Sequence, residues 1–267
     1  MYVCPRCKEQ LAEFTCSRCQ KSYPVVKGIP CFLVGSPEEI DHRIREIYDE
    51  IYQHHEDVWI DQGRSARFQQ WFSDLAASYS TGPLLEIGCG EGILLSAFRS
   101  DIRVGIDPSV VALTRAKARS ASECAVARAE ELPFESASFQ IVASVGVMEH
   151  FDDPDAAAAE IHRVLAPSGT YIALFHRDMS RAQRLQLKAK EFLWPPRPAA
   201  FVRWIRKKLF HPIVQPLRKS YSIESTSAIL QRHGFKVTDV IVGGEDRSTP
   251  LAGPHVVIVT ARKMAAA

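Results

Sequence analysis

Residues 84–95 read LLEIGCGEGILL, an apolar run that breaks into three alternating glycines and then resumes. This pattern predicts a buried parallel strand, a tight turn and the start of a helix. Glycine has no Cβ, so the turn can adopt positive φ, and a ligand can lie against its backbone within reach of free N–H groups. Close packing of a strand on a helix also requires glycine. The pattern therefore leaves a ligand site and a purely structural turn both open.

A carboxylate stands at the end of the next predicted strand. Residues 103–106 (RVGI) are predicted to form a short strand, and Asp107 follows it. An acid about 20 residues after a glycine-rich turn is positioned to accept hydrogen bonds from ribose hydroxyls. The alternative is that Asp107 only caps the helix that begins after Pro108 and Ser109.

Strand and helix patterns alternate between residues 84 and 175, which predicts an α/β fold with a parallel sheet and helices on both faces. The predicted strands are residues 84–87, 103–106, 124–127, 139–145 and 170–175, and helices are predicted at 108–121 and 154–165. A helix at 222–233 precedes two late strands, 235–242 and 255–261. No helix joins these two strands, so we expect an antiparallel pair at the sheet edge.

Four of the seven cysteines form two Cys-x-x-Cys pairs near the beginning of the chain. This spacing lets four thiolates reach one tetrahedral ion, which predicts structural zinc held by Cys4, Cys7, Cys16 and Cys19. A disulfide framework and a single redox pair are the alternatives. So small a unit cannot bury a sufficient core without its metal. We therefore expect a zinc ribbon over residues 1–36.

Two helices are predicted between the ribbon and the first sheet strand, at residues 38–55 and 65–79. Helices in this place often cover the cleft of the sheet, so residues 37–80 are expected to act as a helical lid or linker. The first helix carries Tyr48 and ends near His54 and His55, which are candidates for substrate contacts. Packing is the simpler explanation of these aromatic side chains.

Residues 177–220 are strongly basic, although the chain as a whole has a net charge of only +2. Within them, residues 201–210 have an apolar helical face opposite Arg203, Arg206, Lys207 and Lys208. This pattern is typical of a helix at an anionic membrane surface, but a lid, an ordinary surface helix or an RNA contact also fits it. The sequence has no run of about 18 apolar residues and no leader, so we expect a cytoplasmic protein. If the basic helix lies at a membrane surface, the protein would be membrane-peripheral.

Five motifs in order, EIGCGEG (86–92), GIDPS (105–109), AExLPF (129–134), VMEHF (147–151) and LAPSG (165–169), resemble those of class I S-adenosylmethionine-dependent methyltransferases. The resemblance is greatest to the group that includes ubiquinone and menaquinone biosynthesis enzymes. It implies a seven-stranded Rossmann-like sheet made of residues 81–176 and 221–267, with the basic insertion 177–220 between strands five and six. Residues 4–33 resemble the zinc-ribbon family of small methyltransferase activator proteins, which are partner subunits of enzymes that modify tRNA, rRNA or translation factors.

The methyltransferase resemblance also implies a set of residues that bind S-adenosylmethionine. Asp107 would bind the ribose hydroxyls, and Ala129 and Glu130 would lie near the adenine. An acid usually precedes this Ala-Glu pair, but here Arg128 does. Because arginine only donates, Glu130 or a backbone carbonyl must replace the acid, or cofactor affinity is reduced. The full set is Glu86, Gly88, Cys89, Gly90, Gly92, Asp107, Pro108, Ala129, Glu130 and Val145.

Methyl transfer requires donor and acceptor to be held in line, and a base helps if the acceptor is a hydroxyl. His150, after the fourth strand, is the first candidate for a base, and His176, after the fifth, is the second. Three functions remain open. They are a methyltransferase for a small-molecule, lipid-linked or saccharide acceptor (O- or C-methylation), an RNA methyltransferase, and a binding module without catalysis.

Overall fold

The computed structural model describes residues 2–33, 40–56, 65–120, 122–178, 219–245, 248–251 and 253–264. Within these ranges the α-helices are α1 (Ile40–His54), α2 (Ala66–Tyr79), α3 (Val110–Ser120), α4 (Pro154–Val164) and α5 (Ile223–Arg232). The strands are β1 (Thr15–Cys16), β2 (Lys21–Ser22), β3 (Val25–Val26), β4 (Ile29–Pro30), β5 (Leu84–Ile87), β6 (Arg103–Asp107), β7 (Glu123–Val126), β8 (Phe139–Val145), β9 (Leu165–His176), β10 (Phe235–Val242) and β11 (Val256–Lys263). The predicted basic helix at 201–210 lies outside the described residues.

Seven strands form the central sheet in the order β10-β11-β9-β8-β5-β6-β7. β5 lies parallel to both β6 and β8, and β8 lies parallel to β9. β10 and β11 pair antiparallel, and β11 joins β9 antiparallel. The predicted α/β class, the seven-stranded Rossmann-like sheet and the antiparallel edge pair are confirmed.

The central strands β5 and β8 are buried on both faces, because they are almost continuously apolar. All four residues of β5 are buried. Leu85 and Ile87 belong to the core on one side of the sheet, and Leu84 belongs to the core on the other side. This alternation follows from the two-residue period of a strand. Helices therefore cover both faces, as the sequence predicted.

Two segments differ from the prediction. Residues 90–97 form consecutive turns instead of a regular helix, with Ser96 N–H bonded to Gly92 O and Ala97 N–H bonded to Leu94 O. β9 begins at Leu165 instead of Thr170, because the predicted turn 166–169 is a bulge between two paired stretches of the strand. Ser168 adopts φ +61° in this bulge, a conformation that costs a non-glycine residue roughly 1 kcal/mol.

The N-terminal segment covers the free edge of β7. Phe32 N–H donates to Val126 O at 2.8 Å, and Val3 N–H donates to Pro133 O at 3.0 Å. The Tyr2 ring also lies 5.6 Å from the Phe134 ring. An uncovered edge strand would present a row of unpaired backbone groups, so this contact protects the sheet.

Glu160 of α4 connects the N-terminal segment to the loop after β7. Its carboxylate accepts from Lys8 Nζ at 2.6 Å and from Leu132 N–H at 2.8 Å. Arg163 Nε and Nη2 also donate to it, at 2.8 and 2.9 Å. Burial alone would raise the pKa of Glu160, but the bonds from Arg163 and Lys8 outweigh burial and the pKa lies below its ordinary value.

We predict that Glu160→Gln lowers the free energy of unfolding by about 1–3 kcal/mol, because it replaces charge-assisted bonds of a largely buried group. Chemical denaturation of the whole chain measures this difference. Since the pKa is depressed in the folded state, the contribution is present above the ordinary pKa of 4.5 and is lost as the pH falls through the lowered value. Glu50→Gln, an exposed site on α1, is the control. Equal stability of the two variants at neutral pH would contradict the role of Glu160.

Candidate cofactor and acceptor site

The carboxyl ends of β5, β6, β8 and β9 lie at one edge of the sheet, because these four strands run parallel. The chain crosses to opposite sides of β5 to form β6 and β8. Ligands of open α/β sheets bind in the crevice at such a switch point. The turn after β5 is therefore at the centre of the candidate site.

The glycines of this turn allow two close approaches. Gly88 has φ +68°, and a Cβ there would lie 2.3 Å from Val147 Cγ2. Gly92 has φ +72°, and a Cβ there would lie 2.9 Å from Ala116 Cα of α3. The sequence left a structural role for these glycines open, and both positions require glycine for packing. Cys89 is buried, and its side chain packs against Gly105 of β6.

Asp107 lies beside the turn and connects it to the next helix. Its Oδ2 accepts from Gly90 N–H at 2.9 Å, and its Oδ1 accepts from Ser109 N–H at 3.0 Å. Capping, one of the two roles considered for Asp107, belongs to Ser109 instead, whose Oγ accepts from Ala112 N–H at 3.1 Å. An ionised carboxylate has about four lone-pair sites and only accepts, which is the chemistry that ribose hydroxyls require. A carboxylate acceptor beside the glycine-rich turn therefore fits the ribose hydroxyls of a nucleoside.

Glu130 binds the loop after β8. Its Oε1 accepts from Asp152 N–H at 2.7 Å and from Asp153 N–H at 3.3 Å. Its Oε2 accepts from Arg128 Nε at 3.1 Å, and only 6% of the Glu130 side chain is exposed. Arg128 therefore neutralises a buried charge, which gives a structural reason for the departure seen in the sequence. Ala129 is buried at the start of the 3₁₀ turn Ala129–Glu131.

Helix α1 packs beside the site. Asp49 Oδ1 accepts from Ser109 Oγ at 2.6 Å and from Val111 N–H at 3.1 Å, which fixes α1 to the start of α3. Tyr48 stands beside it, with its ring 6.5 Å from the His150 ring in an edge-to-face arrangement. Burial raises the pKa of Tyr48, and the carboxylates of Asp107 and Glu149 raise it further. Tyr48 therefore lies near both carboxylates.

The two histidines predicted as bases have different surroundings. His150 ends the 3₁₀ turn Met148–His150 and contacts Tyr48. His176 ends β9, and its Nδ1 lies 2.8 Å from Glu149 Oε1. The ring of His255, just before β11, stacks on His176 with centroids 5.9 Å apart and planes 19° apart. The sequence did not single out Glu149 or His255, and VMEHF could have pointed to Glu149.

The four predicted metal ligands come together in the N-terminal segment. The Sγ atoms of Cys4, Cys7, Cys16 and Cys19 all lie within 4.8 Å of one another. Two of these separations are 3.9 Å (Cys4 to Cys19) and 3.5 Å (Cys7 to Cys16). Tetrahedral zinc with bonds of about 2.3 Å requires sulfur atoms roughly 3.8 Å apart. The cluster therefore fits such an ion.

Residues 85–173 match the family described as "Methyltransferase domain". A demethylmenaquinone methyltransferase of Symbiobacterium thermophilum is 26% identical over 161 residues, which are 54% of this chain and 63% of that protein. A ubiquinone biosynthesis O-methyltransferase of Rhizobium etli is 33% identical over 123 residues, which are 43% of this chain and 50% of that protein. The chain thus spans between half and two thirds of the length of these curated relatives.

Solved structures share the fold at low identity. A Thermotoga maritima structure described as a SAM-dependent methyltransferase, possible histamine N-methyltransferase, is 19% identical with a TM-score of 0.59, over 82% of this chain and 99% of that one. A chain from the complex between the Haloferax volcanii Trm112 methyltransferase activator and the putative methyltransferase is 15% identical with a TM-score of 0.58, over 82% of this chain and 98% of that one. No helix in the described ranges is long and apolar enough to cross a bilayer. Together the fold and the family match identify a class I S-adenosylmethionine-dependent methyltransferase domain in this chain.

Proposed function

We propose that this protein transfers a methyl group from S-adenosylmethionine to a small-molecule, lipid-linked or saccharide acceptor, by O- or C-methylation. The observation that carries the proposal is the Asp107 carboxylate beside the glycine-rich turn, at the switch point of a methyltransferase sheet. The family match and the quinone-modifying relatives named above support the reaction and the acceptor class. The expected domains are 1–36, 37–80, the two-part core 81–176 and 221–267, and the insertion 177–220.

S-adenosylmethionine supplies a methyl group bound to a positively charged sulfur. In this proposal Asp107 and Pro108 hold its ribose, and Ala129 and Glu130 border its adenine. The methionine part lies along the turn that contains Glu86, Gly88, Cys89, Gly90 and Gly92, with Val145 nearby. Tyr48 and α1 cover the site and exclude water, which favours in-line transfer between a positioned donor and acceptor.

RNA methylation is the second candidate. The four-cysteine cluster, the resemblance of residues 4–33 to activator proteins, and the basic charge of 177–220 favour it. A third candidate, binding without catalysis, is motivated by Arg128. Because Arg128 pairs with Glu130 at 3.1 Å, its charge has a partner within the protein, which weakens this third candidate.

We predict that S-adenosylmethionine binds the wild-type chain and that Asp107→Asn weakens binding about 10- to 100-fold, because hydrogen bonds to a charged group contribute about 1.5–3 kcal/mol. Isothermal calorimetry measures the affinity, and thermal melting without ligand checks the fold. Asp74→Asn, a surface carboxylate paired with Arg99, serves as the control. Absence of binding heat with the wild-type chain would exclude both enzymatic functions.

We further propose that the cysteine cluster holds one structural zinc ion, since four thiolates leave no open coordination position. Elemental analysis of protein purified without chelators is expected to give one zinc per chain. Cys16→Ser should lose zinc and lower the melting temperature of the ribbon. Cys31→Ser, a buried cysteine outside the cluster, should retain zinc. Full zinc content in the Cys16 variant would contradict the assignment.

If the acceptor is lipid-linked, we expect the basic insertion to bind an anionic membrane surface and not RNA. Flotation with vesicles that contain anionic lipid is expected to retain the wild-type chain and to lose a variant with Arg203, Arg206, Lys207 and Lys208 changed to alanine. The control removes four exposed charges elsewhere, at Lys27, Arg67, Arg99 and Lys236. RNA retention that depends on the same four residues, without flotation, would instead support the second candidate.

A further inference from the structure

Glu149 and His176 form a buried carboxylate and imidazole pair at the carboxyl edge of the sheet. Glu149 Oε1 accepts two hydrogen bonds from His176, one from the backbone N–H at 2.7 Å and one from ring Nδ1 at 2.8 Å. An ionised carboxylate only accepts, so Nδ1 must carry the hydrogen. In the neutral ring, Nε2 is then the atom with the lone pair.

The carboxylate of this pair remains ionised. Burial alone would raise the pKa of Glu149, but the bonds from His176 outweigh burial, and the pKa lies below its ordinary value. Tyr48 lies near Glu149 from α1, and Lys219 N–H donates to the Glu149 backbone carbonyl at 2.7 Å. Glu149 is thus held on its backbone as well as through its side chain.

The side chain of His176 is partly exposed, at 41%, whereas that of Glu149 is 3% exposed. Gly146, at the end of β8, has no side chain, and a Cβ there would lie 3.9 Å from His176 Cε1. Among the described residues Nε2 has no hydrogen-bond partner. The pair therefore presents a hydrogen-bond acceptor at the end of β9, next to the loop after β8.

His255 limits the motion of this ring. It stacks on His176 at 5.9 Å and 19°, and its backbone carbonyl accepts from Arg177 N–H at 2.8 Å. One edge of the His176 ring is bonded to Glu149, and the His255 ring lies nearly parallel to it, with the centroids 5.9 Å apart. The ring is therefore fixed in direction before any acceptor binds, which is what a general base requires.

Building on the proposed function, we propose that His176 is the general base for an acceptor hydroxyl and that Glu149 is the residue that positions it, so that the reaction is O-methylation. The acceptor oxygen forms a bond to the methyl carbon of the sulfonium donor, and the carbon–sulfur bond breaks with its electron pair kept by sulfur. The hydroxyl proton passes to Nε2 of His176, which becomes an imidazolium next to the Glu149 carboxylate. His150, the first candidate from the sequence, contacts Tyr48 and borders the acceptor instead.

The tautomer of His176 tests this proposal without any substrate. Nitrogen-detected NMR of ¹⁵N-histidine-labelled full-length chain at pH 8, above the ordinary histidine pKa of about 6.5, reports which ring nitrogen carries hydrogen. We expect Nδ1–H to dominate for His176 in the wild-type chain and to lose that dominance in Glu149→Gln. A wild-type His176 with hydrogen on Nε2 would overturn the proposal, whether or not the Glu149 variant folds.

A second histidine pair supplies a matched control. His233 Nε2 lies 2.8 Å from Asp155 Oδ1, on a carboxylate that is 46% exposed. Asp155→Asn should change the spectrum of His233 and leave that of His176 unchanged. Calorimetry and NMR test the two proposals separately. The proposed function fails if the wild-type chain does not bind S-adenosylmethionine. The assignment of His176 as the base fails if its hydrogen is on Nε2.

The atom to which the methyl group is transferred, oxygen or carbon, gives an independent test of the proposal. S-adenosylmethionine labelled with ¹³C in the methyl group is incubated with the protein and a lipid and metabolite extract, and the ¹³C shift separates oxygen-bound from carbon-bound methyl. We expect oxygen-bound product, formed at least 100-fold more slowly by His176→Asn and at least 10-fold more slowly by Glu149→Gln, both with unchanged S-adenosylmethionine affinity. Carbon-bound product, or an unchanged rate in the His176 variant, would overturn the proposal. If the extract yields no product, the tautomer measurement decides.

Discussion

The backbone N–H groups of Gly90 and Ser109 both donate to the Asp107 carboxylate, and the arrangement of the whole site depends on these two bonds. They hold the turn after β5 against the start of α3. Asp49 then binds the same start of α3 from α1. The carboxylate at the end of β6 thereby links the turn to the start of α3, and Asp49 links the start of α3 to α1.

Most of the sheet could be predicted from the sequence because its strands are short apolar runs bounded by turns. β5, β8 and β10 have the predicted limits. The early start of β9 could not be predicted, because it depends on pairing across a bulge with β8. Residues 90–97 likewise form turns where a helix was expected. Some of their hydrogen bonds join residues four apart and others join residues three apart. Local patterns do not contain these long-range constraints.

The site was predicted less completely than the fold. The sequence pointed to Asp107, the glycines and His150 through motifs and to His176 through its place after a strand, and their roles stay predictions. It did not identify Asp49 or Glu160, whose partners are about 60 and 150 residues away in the chain. It also treated Arg128 as a lost adenine contact, whereas the structure pairs it with Glu130. Partners of this kind are determined by tertiary packing, which spacing along the chain does not reveal.

The backbone bond between Phe32 and Val126 has a consequence for how the ribbon associates with the sheet. When two separate proteins meet at a sheet edge, dilution separates them. Here the two surfaces belong to one polypeptide, so the local concentration of one surface around the other is on the order of millimolar at any dilution. The stoichiometry of the two surfaces is fixed at one to one, and Phe32 already occupies the Val126 carbonyl at the edge of β7.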